Sequence, residues 1–68
     1  MKKIDFTAQE LKIVKLICKQ LTAKEIADRI GLSFRTVEDY RRKIQKKIGA
    51  KNVVGIAIYA VRNSLIKT

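Results

Sequence analysis

Four side chains set the chemistry to consider first: Arg35, Asp39, Arg42 and Lys46. They recur at i, i+4, i+7 and i+11, so on a helix of 3.6 residues per turn they share one face. Glu38 and Gln45 lie beside them, with Lys43 and Lys47 on the flanks. Arginine can fork onto the two acceptors of guanine, a carboxylate can accept from the cytosine amino group, and lysine can neutralise a phosphate. The opposite side of the same segment carries Val37, Tyr40, Ile44 and Ile48, which would anchor it to a core. A helix that packs by one side and offers such groups on the other suits the DNA major groove. Arg35–Asp39 and Glu38–Arg42 are also spaced as i, i+4 ion pairs, which would only fix the helix's own side chains.

Catalytic chemistry is poorly provided for. The 68 residues hold no His and a single Cys, so no His-based triad, His metal ligand, zinc cluster or internal disulfide can be assembled. No enzyme activity, cofactor or metal site is expected. A chain of this size buries only about 60% of its unfolded surface, which leaves little room for a deep pocket. With 47% apolar and 32% charged residues it is globular in composition.

The charge points to a polyanionic partner. Sixteen Lys and Arg face six Asp and Glu, for a formal net charge of +10. All six acids lie between Asp5 and Asp39, and from Tyr40 to Thr68 there are eight basic residues and no acid. Nucleic acid fits such a field first, and an anionic membrane surface second. No apolar run approaches the roughly 20 residues of a membrane span, and Asp5 and Glu10 interrupt any signal-peptide pattern. The unpaired Cys18, placed among core residues, fits a reducing cytoplasm.

The elements that must position these groups are helices. Thr7-Ala8-Gln9-Glu10 and Thr22-Ala23-Lys24-Glu25 both have capping-box form, Ser33 can cap a third helix and Asn52 a fourth, and Gly49 can stop the third. Phe6, Leu21 and Leu32 precede three of these caps, each with an apolar residue five positions on. Helices are therefore expected over 8–20, 23–30, 34–48 and 53–66, in an all-α, compact four-helix domain. On the first, Leu11, Val14, Ile17, Cys18 and Leu21 form the expected apolar face, opposite a solvated stripe of Lys12, Lys15 and Lys19. The short second helix, the turn Gly31-Leu32-Ser33 and the long basic third helix have helix-turn-helix form over about 23–48.

The motifs Thr7-Ala8-Gln9-Glu10, Lys24-Glu25-Ile26-Ala27, Leu32-Ser33-Phe34-Arg35-Thr36-Val37 and Lys47-Ile48-Gly49, with Ile44 and Asn52, resemble the LuxR/GerE-type helix-turn-helix domain. The likeness covers roughly residues 6–66 and leaves 1–5 as a tail or linker remnant. It implies a tetrahelical DNA-binding domain of a bacterial transcriptional regulator, commonly the C-terminal output domain of a two-component response regulator. Less often such a domain is a stand-alone protein; otherwise an N-terminal receiver domain, which 68 residues cannot also hold, is an expected partner. Carried over by position, Lys24 would touch a phosphate, and Ser33 and Thr36 would contact the DNA backbone. Glu38, Asp39 and Arg42 fall on the groove-reading positions, with Lys46 and Lys47 reaching phosphates and Lys43 adding to the phosphate contacts. Glu38 stands where the family usually has Lys, and Tyr40 where it usually has His. The operator of relatives with Lys at that position therefore cannot be borrowed.

The fourth segment carries more apolar surface than a core needs. Val53, Ile56, Ala57 and Ala60 take one side and Val54, Ile58, Val61 and Leu65 the next, an arc of about 200° where a surface helix buries a stripe of about 100°. The second set is expected to form a homodimer interface on DNA, as the resemblance also implies. Two other readings stand beside sequence-specific binding of double-stranded DNA: a module like region 4 of a sigma factor, and a basic helical module for protein or anionic-surface interaction. The second of these would want Trp or Phe on an apolar helix face, whereas Phe6 and Phe34 are assigned to packing or turn positions.

Overall fold

The computed structural model describes residues 5–65 and shows four helices and no strand among them. They are α1 (Ala8–Cys18), α2 (Ala23–Ile30), α3 (Phe34–Ile48) and α4 (Val53–Arg62). All four start at the expected caps. The hydroxyls of Thr7, Thr22 and Ser33 accept from the backbone N–H three residues on, and the Asn52 side-chain oxygen accepts likewise from Gly55. Thr7 and Thr22 complete reciprocal capping boxes with Glu10 and Glu25.

The helix ends share a device that the sequence marks only through Gly31 and Gly49. After each helix comes a residue with left-handed backbone: Gln20, Gly31, Gly49 and Ser64, at φ 67°, 73°, 71° and 55°. The next residue then donates its N–H back five positions, Leu21 to Leu16, Leu32 to Ala27, Ala50 to Gln45 and Leu65 to Ala60. This bond satisfies carbonyls that a helix terminus leaves open, and the apolar residue that makes it folds against the body. Leu21, Leu32, Ala50 and Leu65 are indeed all half-buried against the core. The device stops α1 at Cys18 and α4 at Arg62, shorter than expected, and the expected terminus at 66 lies outside the described residues.

One isoleucine from each helix, Ile13, Ile26, Ile44 and Ile56, is buried to within 1%. Each such side chain contributes roughly 1.5–3 kcal/mol when fully withdrawn from water. The core arc of α1 differs from the expected one: Ile13 and Leu16 join Val14 and Ile17, while Leu11 and Cys18 are only half-buried. The reason is that α1 packs on all three other helices and so buries a wider arc than a one-sided surface helix. Helix α2 packs on α1 and α3, and α3 on all the others. On α4 the backbone of Gly55 comes close to Ala50, where an added methyl would lie 2.8 Å from the Ala50 Cβ.

Candidate nucleic-acid interface

Helix α3 is held by the side the sequence assigns to packing. Val37 and Ile44 are buried, and Tyr40 and Ile48 are half-buried against the core. That fixes the rotation of the helix and turns Arg35, Asp39, Arg42 and Lys46 outward, where all four are exposed. Lys43 and, at the start of α2, Lys24 are exposed as well. At the front of α3 the Ser33 Oγ lies 3.1 Å from the Thr36 N–H and 2.8 Å from the Thr36 Oγ1. The two hydroxyls thus brace the first turn of the helix.

The acids on this helix are paired at i, i+3 rather than at the expected i, i+4. Glu38 binds Arg41 at 2.6 Å, and Asp39 faces Arg42 at 3.8 Å. The first pair is half-buried and hydrogen-bonded, so Glu38 carries a neutralised charge rather than a bare one toward any phosphate. On a helical wheel Arg41 falls between the packed and open sides of α3, so spacing alone assigns it no role. The second pair is wide and mostly exposed, which leaves the Arg42 fork free to take another acceptor.

Lys47 departs most from expectation. Its ammonium does not stand free for phosphate: it donates to Glu10 Oε1 at 2.7 Å and to the Asp5 carbonyl at 2.9 Å, and lies 5.5 Å from the centre of the Phe6 ring. Glu10 itself is buried to 1%. Burial alone would raise its pKa, but the bond from Lys47, the Thr7 N–H and the positive charges of Lys47 and Lys43 outweigh it and hold the carboxyl below its ordinary value. Lys47 therefore ties α3 to the start of α1, with two of its three donors used.

Phe34, expected at a packing or turn position, is 55% exposed. It lines a shallow depression with Arg35, Glu38, Asp39 and Arg42. The wheel position of residue 34, on the same side as Glu38 and Arg42, was the signal available in the sequence.

On α4, Val54, Ile58 and Val61 are 64%, 52% and 55% exposed and form an apolar strip. Leu65 does not belong to it: as the residue that closes the end of α4, it turns back onto the core. Ala57, expected on the packed side, borders the strip instead, in a hollow with Ile58, Val61 and Arg62.

The described residues hold no group of three His, Cys, Asp or Glu that could bind a metal ion, and no helix among them is long and apolar enough to cross a membrane. Burial pushes the Cys18 thiol above its ordinary value, which suppresses thiolate chemistry.

A family model described as bacterial regulatory proteins, luxR family, matches residues 5–60. The chain is 38% identical over 48 residues to the C4-dicarboxylate transport transcriptional regulatory protein DctR of Rhodobacter capsulatus, a match covering 71% of this chain and 24% of that one. It is 34% identical over 64 residues to the probable transcriptional regulator ycf29 of Cyanophora paradoxa, covering 94% and 30%. Against the oxygen regulatory protein NreC of Staphylococcus aureus it is 36% identical over 59 residues, covering 87% and 27%. The chain thus spans between 24% and 30% of the length of these curated relatives.

Proposed function

The chain belongs to the luxR family of bacterial regulatory proteins, and from that premise we propose that it binds double-stranded DNA sequence-specifically with α3 in the major groove. The observation that carries this reading is the division of α3 into a packed side and an open side of Arg35, Asp39, Arg42 and Lys46. Arg42 reads a base, with Asp39 and Glu38 beside it, and Arg35 reaches the groove from the first turn. Lys24, Lys43 and Lys46 neutralise phosphates, and the braced hydroxyls of Ser33 and Thr36 meet the backbone. Lys47 adds its one remaining donor. Two copies sit on paired half-sites, joined through Val54, Ile58 and Val61. The chain acts in the cytoplasm as the DNA-binding part of a longer regulator, whose N-terminal receiver controls it.

The test is selection of bound duplexes from random DNA, followed by salt titration. Each neutralised phosphate should contribute about −0.9 to the slope of log affinity against log salt. Arg42→Ala should cost on the order of 1–3 kcal/mol and blur one base pair, whereas Lys46→Ala should weaken all sequences alike. Flat affinity across ~50–200 mM salt, or an unchanged base preference in Arg42→Ala, would refute the arrangement. Ile58→Glu should keep helical content and single half-site binding, and lose cooperativity on paired half-sites.

A further inference from the structure

Phe34 lies at the first position of α3, and its ring stays outside the core that takes Phe6. A single exposed aromatic is ordinary on a protein surface. Its surroundings are not. Of the five residues lining the depression at the front of α3, Arg35, Glu38, Asp39 and Arg42 carry hydrogen-bonding groups, and Phe34 alone presents a purely apolar surface. The first turn of a helix that enters the major groove is also the part that reaches deepest toward base edges. Phe34 stands one and two turns before Glu38 and Arg42 on the same side of α3, so its exposed ring forms the N-terminal end of the depression. The edge of each base pair in that groove shows donors, acceptors and one apolar group, the C5-methyl of thymine.

We propose that Phe34 is a specificity-determining residue that recognises a thymine C5-methyl in the bound duplex. The assignment rests on α3 entering the major groove. It gives the depression two kinds of reader, a charged fork at Arg42 and an apolar face at Phe34, offset by about 12 Å along the helix at 1.5 Å per residue. The charged fork answers to guanine and salt. The apolar face answers to a methyl group and is insensitive to salt.

The experiment takes a duplex selected by the intact chain from random DNA and replaces its thymines by deoxyuridine one at a time, which removes a methyl and leaves pairing intact. The chain should lose about fourfold in affinity at one thymine, the value of one methyl-sized contact. Phe34→Ala, on an exposed site and checked for helical content by circular dichroism, should bind the unmodified duplex about fourfold more weakly and show no further loss with uridine there. Phe34→Leu should keep part of the uridine penalty. If Phe34→Ala keeps the full penalty at every thymine, if the parent chain shows none, or if Phe34→Ala weakens all duplexes equally, the assignment is overturned while α3 remains the DNA-contacting helix. Failure to select any duplex would instead remove the function on which it rests.

Discussion

Helices α1 and α2 both start from a threonine whose hydroxyl accepts from the backbone N–H three residues on, and whose own N–H donates 2.9 Å to the glutamate found there. The two boxes read Thr-Ala-Gln-Glu and Thr-Ala-Lys-Glu, and their caps share one backbone conformation, φ −71°, ψ 162° at Thr7 and φ −74°, ψ 165° at Thr22. Their surroundings differ. Glu25 stands in solvent and serves only its helix, whereas Glu10 is buried and also receives Lys47 from the far end of α3. One box is a cap; the other is a cap and a clamp between helices. A four-residue motif specifies its own hydrogen bonds, while the duty it carries in the fold is set by what packs on top of it.

The largest expected separation is in stability. Glu10→Ala leaves the Thr7 N–H without its acceptor and takes from Lys47 its one anionic partner, leaving the ammonium only the Asp5 carbonyl, and should cost about 2–3 kcal/mol. For a domain of this size that lowers the melting midpoint by roughly 10–20 °C. Glu25→Ala should cost a small fraction of that, because water replaces what is lost. Glu10→Gln sharpens the point: glutamine can still close the cap, so its cost isolates the clamp. Equal melting midpoints for Glu10→Ala and Glu25→Ala would abolish the distinction.

A smaller effect is expected in acid. The Glu10 carboxyl is held below its ordinary value of 4.5 by the balance described above, and that of Glu25 is lowered by the N–H and hydroxyl of Thr22. A carboxylate depressed in the folded state stabilises at pH values above its unfolded value, and the gain fades as the pH falls through the folded one. Stability should therefore drop below about pH 4.5 and level off further down. Denaturant midpoints between pH 6 and pH 2, as a rough window for that loss, should show a flatter profile for Glu10→Gln and a lesser flattening for Glu25→Gln, whose carboxyl is open to solvent. A parental profile in Glu10→Gln would mean that the clamp contributes nothing to it.

The smallest effect concerns DNA. Lys46→Ala should reduce the salt slope by about 0.9. Lys47→Met should reduce it by about half that or less, since most of its donors are engaged within the chain, while lowering stability more than Lys46→Ala does. Salt titrations of the two variants, held well below their melting ranges, would show it. Equal slopes would make Lys47 as full a phosphate contact as Lys46.

What was legible in the sequence follows the range of the forces involved. Caps are contacts across three residues, so Thr7, Thr22, Ser33 and Asn52 could be named from spacing alone. The two sides of α3 follow from one helical period. Three features lay beyond such rules. Lys47 reaches Glu10 across 37 residues, and no pattern in either helix announces it. Leu65 sits on the apolar side of a wheel that assumes the helix continues, but the helix has already ended at Arg62. Gln20 and Ser64 adopt the left-handed backbone that glycine signals at positions 31 and 49, so two of four helix ends carried no marker. For Glu38 the i, i+4 spacing points to Arg42, whereas its partner in the structure is Arg41. The i, i+3 and i, i+4 neighbours of a carboxylate are equally near along a helix, and packing of Arg41 decides between them.

Gly55 differs in kind from the glycines that close α2 and α3. A side chain at Gly31 or Gly49 would meet nothing within 4 Å, so those positions ask for a handedness that L-residues resist. Gly55 has ordinary helical backbone and lacks only room, with Ala50 in the way. In an open helix, alanine would improve on glycine by about 1 kcal/mol. Here its methyl would act as a wedge under the first turn of α4, prying the helix away from the loop that feeds it. Val54, Ile58 and Val61 ride on that helix, so the bearing of the apolar strip relative to α3 is gauged by the thickness of one hydrogen atom where a methyl would otherwise stand.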